Sequence, residues 1–298
     1  MPDQPQHPKH PNQPKQPNQS THPTATTPPS YPTALGASDP KRITLLGQDL
    51  AEDIMGSVGF GELAFWLATQ RRPSPGETRV FEAVLAALAD HGFTPTAIVS
   101  RLTYLSAPDS IQGALAAGLL GGGSRFLGVT EDTGHYLAAV VTSLGTGHPA
   151  LHDQEAWNTV ALHTIQHTHS AHELIPGLGH HLHKEGDPRT QRLMDIAREE
   201  GVFGPHLSLF EAIGRTHPGV LGRTLPLNGA GVCGAALADL GLPLPLLRGF
   251  ALLARTAGLI GQLAEEIRTP VARDIFTSVE QHSTPIPPTP LPSASPQE

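Results

Sequence analysis

The sequence predicts an all-α fold, and three observations support this prediction. Apolar residues in the middle of the 298-residue chain recur three and four positions apart, as they do on one face of a helix. Serine or aspartate followed by proline opens several of these segments, and glycine closes them, which is typical of helix starts and stops. Sustained alternation of apolar and polar residues, the pattern of a strand, is absent from the sequence.

The first predicted helix lies in SPGETRVFEAVLAALADHG. Ser74 is its predicted N-cap, Pro75 takes the first helical position, and Glu77 completes a capping box. Gly92 ends the run, because glycine just after the last periodic residue is typical of a helix C-terminus. The apolar face of this helix comprises Val80, Phe81, Val84, Leu85 and Leu88.

Four further helices are predicted downstream. The segment SAPDSIQGALAAGLLGGG is expected to start at Ser106 and Pro108 and to stop at its three glycines. Its glycine and alanine content predicts close packing, since small side chains let neighbouring backbones approach. Residues 187–200 and 233–241 form two helices closed by glycine, and a long last helix covers about 246–267.

Composition sets the outer limits of the folded part. Residues 1–40 are rich in Pro, Gln, Asn, His and Thr, and residues 283–298 in Pro and Ser, so both are predicted to be disordered. A formal charge of −8 with few lysines argues against nucleic-acid binding. We expect no signal peptide and no segment long and apolar enough to span a bilayer. The single cysteine fits a reducing cytosol, so a cytoplasmic location is expected.

Four features carry residues with specialised chemistry: the loops 89–92, 176–189 and 225–234, and Arg255 within the last helix. His91, at the end of a helix, either interacts favourably with the helix dipole as a cap or belongs to a site. The guanidinium of Arg255 either reaches the surface along its apolar stem or stays inside to hold a carboxylate. These alternatives stay open at the level of sequence.

Histidines are concentrated in the middle of the chain and raise the question of a metal site. His163 and His167 share one helix face, which fits either a His-rich polar helix, the favoured interpretation, or a weak adventitious Zn²⁺ or Ni²⁺ site. The residue after the first of them is a threonine, not the glutamate that a metallopeptidase needs. His181 and His183 alternate with His180 and are expected to be solvated. No metal is expected to take part in function.

Four segments together resemble the citrate synthase superfamily, and most of all its citryl-CoA lyase members. IPGLGHHLHKEGDPR is similar to the family segment Pro-Gly-Phe-Gly-His…Lys…Asp-Pro-Arg, and ADHGFTPTAIVSR is similar to its Asp-His segment. AAGLLGGGSRFLGVTED resembles the Gly-Gly loop of the lyases, and LPLNGAGVCGAALADLGLP resembles the Asn-Val-Asp loop and the helix after it. The segments follow the order found in the family and span about residues 45–275.

This resemblance implies a fold and an assembly. A citrate-synthase-like subunit would have a large helical domain, residues 41–171 and 246–282, and a small helical domain, residues 172–245. The active site would lie in the cleft between the two domains. Coenzyme A would be part of the substrate, a di- or tricarboxylate would be the second ligand, and the subunits would form a homodimer or a multiple of one.

The resemblance also implies roles for single residues. His180 would contact the oxygen on the carbon whose bond is made or broken, and His91 would touch the same carboxylate substrate. Arg189 and Arg255 would hold its carboxylates, and Lys184 would lie near the phosphates of coenzyme A. The backbone along the coenzyme A arm would come from Gly177, Gly179, Leu227 and Asn228.

Two positions depart from the family pattern. Phe126 stands where citrate synthases have a histidine that donates to the thioester oxygen, and this favours citryl-CoA cleavage over citrate synthesis. Ala230 stands where the family has its catalytic aspartate. A positioned acid–base group raises the rate of a catalysed step by about 10²–10⁴-fold, so its loss argues against catalysis at the usual rate. Glu131 and Asp132, near the Phe126 loop, are candidate replacements.

The leading functional hypothesis is cleavage of citryl-CoA, or of a related 3-hydroxy-3-carboxyacyl-CoA. The products would be acetyl-CoA and oxaloacetate, or a related 2-oxo acid. One alternative is a citrate synthase, which condenses an acyl-CoA with a 2-oxo acid. The other is a catalytically silent subunit that binds coenzyme A or a carboxylate, and Ala230 favours it. A carboxylate within reach of the acyl α-carbon would separate an enzyme from such a binding protein.

Overall fold

The computed structural model describes residues 30–180 and 183–288, and most of this part is helical. The helices are α1 (Phe60–Thr69), α2 (Pro75–Ala89), α3 (Pro95–Ser106), α4 (Ile111–Leu120), α5 (Gly128–Leu144), α6 (Gln154–Ser170), α7 (Pro188–Glu199), α8 (Pro205–Leu221), α9 (Gly229–Asp239), α10 (Leu247–Arg268) and α11 (Ala272–His282). Before them, the short antiparallel strands β1 (Gly36–Ser38), β2 (Ile43–Leu45) and β3 (Gln48–Asp49) form a sheet in that order. The all-α prediction is confirmed.

The helix starts follow the predicted chemistry. The Glu77 amide donates to the Ser74 hydroxyl, and the Ser74 amide donates to the Glu77 carboxylate, so the capping box is complete. Asp187 is the N-cap of α7, and Pro188 is the first residue of that helix. Gly241 follows α9 with a φ of 74°, which glycine adopts without the steric cost of a side chain. The helix α10 has the predicted length.

The predicted start of α4 is wrong. Ser106 is the last residue of α3, and α4 begins at Ile111 instead. The reason is steric, because a proline disfavours helical backbone in the residue before it. Ala107, which precedes Pro108, has φ −137° and ψ 70° and so ends α3. The proline that was expected to open a helix therefore closes the preceding one.

Small residues bring neighbouring helices into close contact, as the composition of α4 predicts. A Cβ atom placed on Gly118 would lie 2.7 Å from Leu259 Cδ1 of α10 and 2.9 Å from the Thr96 carbonyl of α3. A Cβ atom on Gly258 of α10 would collide with the Ala89 carbonyl at the end of α2. The contact between α10 and α2 at this point is therefore made by main chain.

The described structure begins earlier than the predicted boundary at residue 40. The strand β1 lies within the stretch 1–40, which was predicted to be disordered, and pairs with β2 so that Ala37 is opposite Thr44. An ion pair between Arg42 and Asp49, 2.7 Å from Nε to Oδ2, spans the small sheet. The remainder of the predicted arm, to residue 29, and the tail from residue 289 lie outside the described residues.

A single hydrophobic core connects α1 and α2 with α5 to α10. Phe81 of α2 is fully buried in it, and its ring centroid lies 5.6 Å from that of Phe65 and 5.3 Å from that of Phe250. Burying such a side chain contributes about 1.5–3 kcal/mol, and truncating it to alanine costs about 3–5 kcal/mol. The core thus fixes α2 against α10.

The core runs through both predicted domains. Phe65 and Trp157 come from the predicted large domain, and Leu193 and Leu237 come from the predicted small domain, yet all four belong to the same cluster. The division into residues 41–171 with 246–282 and residues 172–245 stays a prediction. The contacts of α9 with α2 and α5 join the two predicted parts.

The helix α10 corrects one expectation from the sequence. The stretch Leu244–Arg268 is long and apolar enough to cross a membrane by length and composition, with a mean hydropathy of 1.3 in its 18-residue window. In the fold it packs against α2, α3, α4 and α5. Its buried Glu266 accepts a hydrogen bond of 2.9 Å from Arg101 of α3, and Gln262 donates one of 3.0 Å to Asp90. These partners attach the buried third of the apolar stretch to α3 and to the end of α2.

Candidate functional site

Separate parts of the chain meet at a cavity of about 120 Å³. The end of α2, the loop before α7, the first turns of α7 and α9, and the middle of α10 each contribute to its wall. The predicted site residues that line it are His91, Phe126, His180, Arg189, Asn228, Ala230 and Arg255. The fold therefore gathers residues that lie far apart in the sequence into one place.

Arg189 is held by the aspartate that caps its own helix. Its Nε donates to Asp187 Oδ1 at 2.9 Å and its Nη2 donates to Asp187 Oδ2 at 2.7 Å. Nη1 donates to the Ala87 carbonyl at 3.1 Å, which fixes the guanidinium to the end of α2. The Gly229 amide also donates to Asp187, at 2.7 Å. Asp187 therefore links the start of α7 to the start of α9, and it orients Arg189, which in turn contacts the end of α2.

Two opposing effects set the pKa of Asp187. Burial alone would raise it, but hydrogen bonds from Arg189 and the Gly229 amide outweigh burial and hold the pKa well below its usual range. The pKa of Arg189 is raised by the same pair. Both groups are charged at neutral pH, and Asp187 cannot serve as a base there.

Three imidazoles lie together, and two of them, His91 and His180, line the cavity. The ring centroids of His91 and His180 are 5.7 Å apart, and those of His180 and His183 are 4.6 Å apart. The His183 amide donates to His180 Nδ1 at 3.0 Å, so the neutral ring carries its proton on Nε2, which lies 3.9 Å from Asp187 Oδ2. The half-buried His183 is not the solvated side chain that we expected, and His181 lies outside the described residues.

His91 lies two residues beyond the end of α2, so it is not the cap of that helix. Burial lowers the pKa of His91, and the positive charge of Arg189 lowers it further. The imidazole is therefore neutral at physiological pH. A neutral ring can accept a proton or bind a metal ion, and a protonated ring can do neither.

Arg255 is buried with only 5% of its surface exposed, so it does not reach the surface. Its Nη1 donates to Thr94 Oγ1 at 3.3 Å, but its Nε has no hydrogen-bond partner among the described residues. Burial lowers its pKa, and the charge of Asp90 acts in the opposite direction. An arginine stays protonated in proteins, so Arg255 brings a positive charge to the wall of this cavity.

No aspartate or glutamate of the described residues lines the smaller cavity. The candidate replacement Glu131 lies 2.7 Å from Arg248, measured from Oε2 to Nε, and is engaged there. Asp132 lines a second, larger cavity instead. Neither carboxylate takes the place that Ala230 leaves.

The larger cavity has a volume of about 730 Å³ and shares Arg125, Val129 and Asn228 with the smaller one, so the two adjoin. Gly177 and Gly179 line it with φ angles of 82° and 92°, in a region that disfavours other residues. Backbone hydrogen bonds join this loop to the next one, from the Gly179 amide to the Pro226 carbonyl and from the Asn228 amide to the Gly177 carbonyl. The two loops form one backbone-lined wall.

Two predicted residues lie elsewhere, and two cationic residues were missed. Lys184 is exposed and lines neither cavity, and Leu227 packs against Gly214 on the opposite side of the loop. Arg125 lines both cavities and Arg223 lines the larger one, although neither was predicted. The signal for Arg125 was present, because it directly precedes Phe126 in the glycine-rich segment.

The histidines of α6 do not form a site with the described residues. His163 and His167 are exposed on α6, as are His169 and His172 at its end. In residues 30–180 and 183–288, the group that offers three closely spaced ligand atoms is His91, His180 and His183. The interpretation of α6 as a His-rich polar helix therefore fits the structure.

Comparison with solved structures finds similar folds. The citryl-CoA lyase from Hydrogenobacter thermophilus is 27% identical, with a TM-score of 0.73 over 88% of this chain and 97% of that one. The ATP citrate lyase from Methanothrix soehngenii, in complex with citrate and coenzyme A, is 20% identical, with a TM-score of 0.66 over 88% of this chain. The citrate synthase from Pyrobaculum aerophilum is 19% identical, with a TM-score of 0.56 over 80% of this chain.

The chain spans 42% of the ATP citrate lyase and 55% of the citrate synthase, and at these identities the likeness concerns the fold. A search of curated protein sequences gives no match. The family model for the citrate synthase C-terminal domain matches residues 46–275, which is more than three quarters of the chain. This match includes the loops that build both cavities. On this ground, the chain is a member of the citrate synthase family.

Proposed function

We propose that this protein is a citryl-CoA lyase-like enzyme. It would cleave citryl-CoA, or a related 3-hydroxy-3-carboxyacyl-CoA, to acetyl-CoA and oxaloacetate, or a related 2-oxo acid. The observation that carries the proposal is that two arginines, Arg189 and the buried Arg255, line the same cavity. The Nε of Arg255 has no hydrogen-bond partner among the described residues. Guanidinium groups form strong, charge-assisted hydrogen bonds with carboxylates, so the two arginines would hold the carboxylates of such a substrate.

The adjoining larger cavity supports an acyl-CoA as the substrate. Its volume of about 730 Å³ suits an extended ligand, and its wall is the backbone of the two joined loops. The exposed Arg125 and Arg223 supply positive charge for the phosphates of coenzyme A. The ATP citrate lyase named above holds citrate and coenzyme A, and an aspartate-to-alanine mutant of the Methanosaeta concilii enzyme holds (3S)-citryl-CoA.

The chemistry would begin with removal of a proton from the 3-hydroxyl group. We assign this step to the neutral imidazole of His91, while Nε2–H of His180 donates to the same oxygen. The oxygen electron pair forms the carbonyl of the 2-oxo acid, and the broken carbon–carbon bond leaves its pair on the acetyl unit as an enolate. Arg189 and Arg255 hold the carboxylates in place throughout.

The enolate then needs a proton on its α-carbon to become acetyl-CoA. The family aspartate is replaced by Ala230, and no carboxylate among the described residues lines the smaller cavity. We assign the proton to the imidazolium of His91, which gained it in the first step. One imidazole would thus move a proton from oxygen to carbon, so that the reaction balances without an outside acid.

A second candidate function has an observation in its favour. The absence of a carboxylate from the described cavity lining also fits a catalytically silent subunit that binds coenzyme A or a carboxylate. A citrate synthase is less well supported, because Phe126 lines the cavity without a side-chain donor for the thioester oxygen. We further propose a cytoplasmic homodimer or larger homo-oligomer.

The deciding experiment is citryl-CoA cleavage, measured as oxaloacetate release through coupled malate dehydrogenase. The wild type is expected to turn over, and His91→Asn is expected to lose about 10²–10⁴-fold in kcat. His180→Ala should also lose activity, whereas the matched control His163→Ala, exposed on α6, should keep it. An inactive wild type that gains activity in Ala230→Asp would overturn the lyase and establish the silent binding subunit.

A further inference from the structure

The cluster of His91, His180 and His183 contains one imidazole that the proposed reaction does not use. One nitrogen from each ring lies within 4.8 Å of the other two. His183 comes from the stretch HHLHK, and only its backbone amide has a role described so far. Its side chain is half-buried against the other two rings, and its centroid is 5.7 Å from that of His91.

We propose that His91, His180 and His183 form a binding site for a divalent transition-metal ion such as Zn²⁺. Imidazole nitrogen is a preferred ligand of such ions, and three protein ligands with one open position form a common tetrahedral arrangement. Nitrogens bound to Zn²⁺ at about 2.0–2.1 Å lie about 3.3 Å apart in a tetrahedron. The three nitrogens, now within 4.8 Å of one another, would have to move closer to reach this spacing.

The tautomer of His180 suits this role. The His183 amide selects the form in which Nδ1 carries the lone pair and Nε2 carries the proton. The Nε2 atom lies 3.9 Å from Asp187 Oδ2, on the side away from the lone pair. A metal-bound histidine whose other nitrogen faces a carboxylate is a recurring arrangement, because the carboxylate orients the ring and strengthens the ligand. A metal ion bound at Nδ1 of His180 would replace the hydrogen bond that this atom accepts from the His183 amide.

The charges around the cluster partly cancel. Arg189 repels a cation, but its Nε and Nη2 donate to Asp187, whose negative charge compensates for that of the guanidinium. Because His91 and His180 line the cavity, an ion held between them would have its fourth position available to water or to a carboxylate.

The metal ion would be an inhibitor of the proposed reaction. A ring bound to the ion cannot accept the hydroxyl proton, so occupancy removes the base assigned to His91. This consequence depends on the proposed lyase activity, whereas binding of the ion does not. The two claims can therefore fail separately.

Binding is tested on the full chain after treatment with a chelator. Titration with Co²⁺ is expected to give the visible absorption of a tetrahedral ion at one equivalent per chain, and Zn²⁺ should displace it in calorimetry. His183→Ala should weaken binding at least tenfold, because even the loss of an outer partner costs about 10–100-fold. His183→Cys keeps a ligand, so it should bind Co²⁺ and add a thiolate absorption band.

The double variant His163→Ala/His167→Ala is the matched control, since it removes two exposed histidines of α6. It should bind Co²⁺ like the wild type, and circular dichroism should show that all variants are folded. Binding that is unchanged in His183→Ala, or lost in the α6 double variant, would overturn the site. Zn²⁺ that binds at the cluster but leaves citryl-CoA cleavage unchanged would refute the inhibition alone.

Discussion

Both carboxylate oxygens of Asp187 accept hydrogen bonds from Arg189, from Nε at 2.9 Å and from Nη2 at 2.7 Å. The N-cap residue of α7 thereby also positions an arginine of the cavity wall. The same carboxylate accepts the Gly229 amide at the start of α9. A local helix signal and a long-range connection therefore depend on a single side chain. This is why its removal should affect stability as well as ligand binding.

The stability of the protein should depend on the charge of Asp187. The folded state lowers the pKa of this carboxyl, so its contribution is present above about pH 3.9, the usual aspartate pKa, and is lost as the pH falls below it. We expect Asp187→Asn to lower the free energy of unfolding by about 2–3 kcal/mol at pH 7. The difference from wild type should narrow below pH 4 in urea titrations.

The matched control is Asp195→Asn on the same helix, where the exposed carboxylate lies 3.6 Å from Arg198. Exposed pairs contribute about 0–1 kcal/mol, so this variant should unfold like the wild type at every pH. An equal effect of the two substitutions would contradict the role of Asp187.

Arg255→Met should separate ligand binding from stability. Loss of a charge-assisted hydrogen bond of about 1.5–3 kcal/mol should weaken citrate binding by about 10–150-fold in calorimetry. The free energy of unfolding should stay the same or rise, because the variant removes a buried cation with an unused donor. Arg268→Met, at the exposed end of α10, should change neither quantity. Intact citrate binding in Arg255→Met would argue against the assigned carboxylate site.

Gly231→Ala should destabilise the protein by about 1–3 kcal/mol through overpacking. The added Cβ atom would lie 2.6 Å from Gly177 Cα and 2.7 Å from Phe210 Cζ. Gly219→Ala, in the last turn of α8, adds a Cβ atom with no neighbour within 4 Å and should instead stabilise by up to about 1 kcal/mol through helix propensity. Thermal unfolding of both variants tests the pair, and equal melting temperatures would contradict it.

Cys233 should be unreactive in the folded protein. Burial raises the pKa of its thiol to about 12, so almost no thiolate is present at neutral pH. We expect a disulfide reagent to label the chain only as fast as it unfolds, and to label it at once in urea. Rapid stoichiometric labelling of the native protein would show that α9 is accessible.

The sequence predicted helices best where the signal is local. The capping box of Ser74 and Glu77 depends on four consecutive residues, and the structure reproduces it. The start of α4 failed because serine and proline at Ser106 and Pro108 fit either end of a helix, and only the steric effect of proline on the residue before it decides. The resemblance to a family, rather than periodicity, placed the site residues.

The arrangement of the site could not be predicted from local sequence signals, because it depends on contacts between residues that are far apart in the chain. The partner of Arg189 is two residues away, but its second anchor, the Ala87 carbonyl, comes from α2. Whether a carboxylate reaches the cavity depends on where Glu131 and Asp132 point, and that direction is set by Arg248 and by the packing of α5. The half-buried position of His183 likewise depends on contact with His91, which lies far away in the sequence.

If the proposed function holds, the crossing of α10 and α2 at Gly258 bears on which acids this cavity would admit. Because the Ala89 carbonyl leaves no room for a side chain at position 258, the spacing of the two helices is fixed by main chain alone. Arg255 lies one turn before that crossing, and His91 lies two residues after Ala89. In the proposed reaction, the helix spacing would thus limit the length of the carboxylic acid that fits between them. A methyl group at position 258 would push the two helices apart and is expected to favour longer acids, although it changes no residue that lines the cavity.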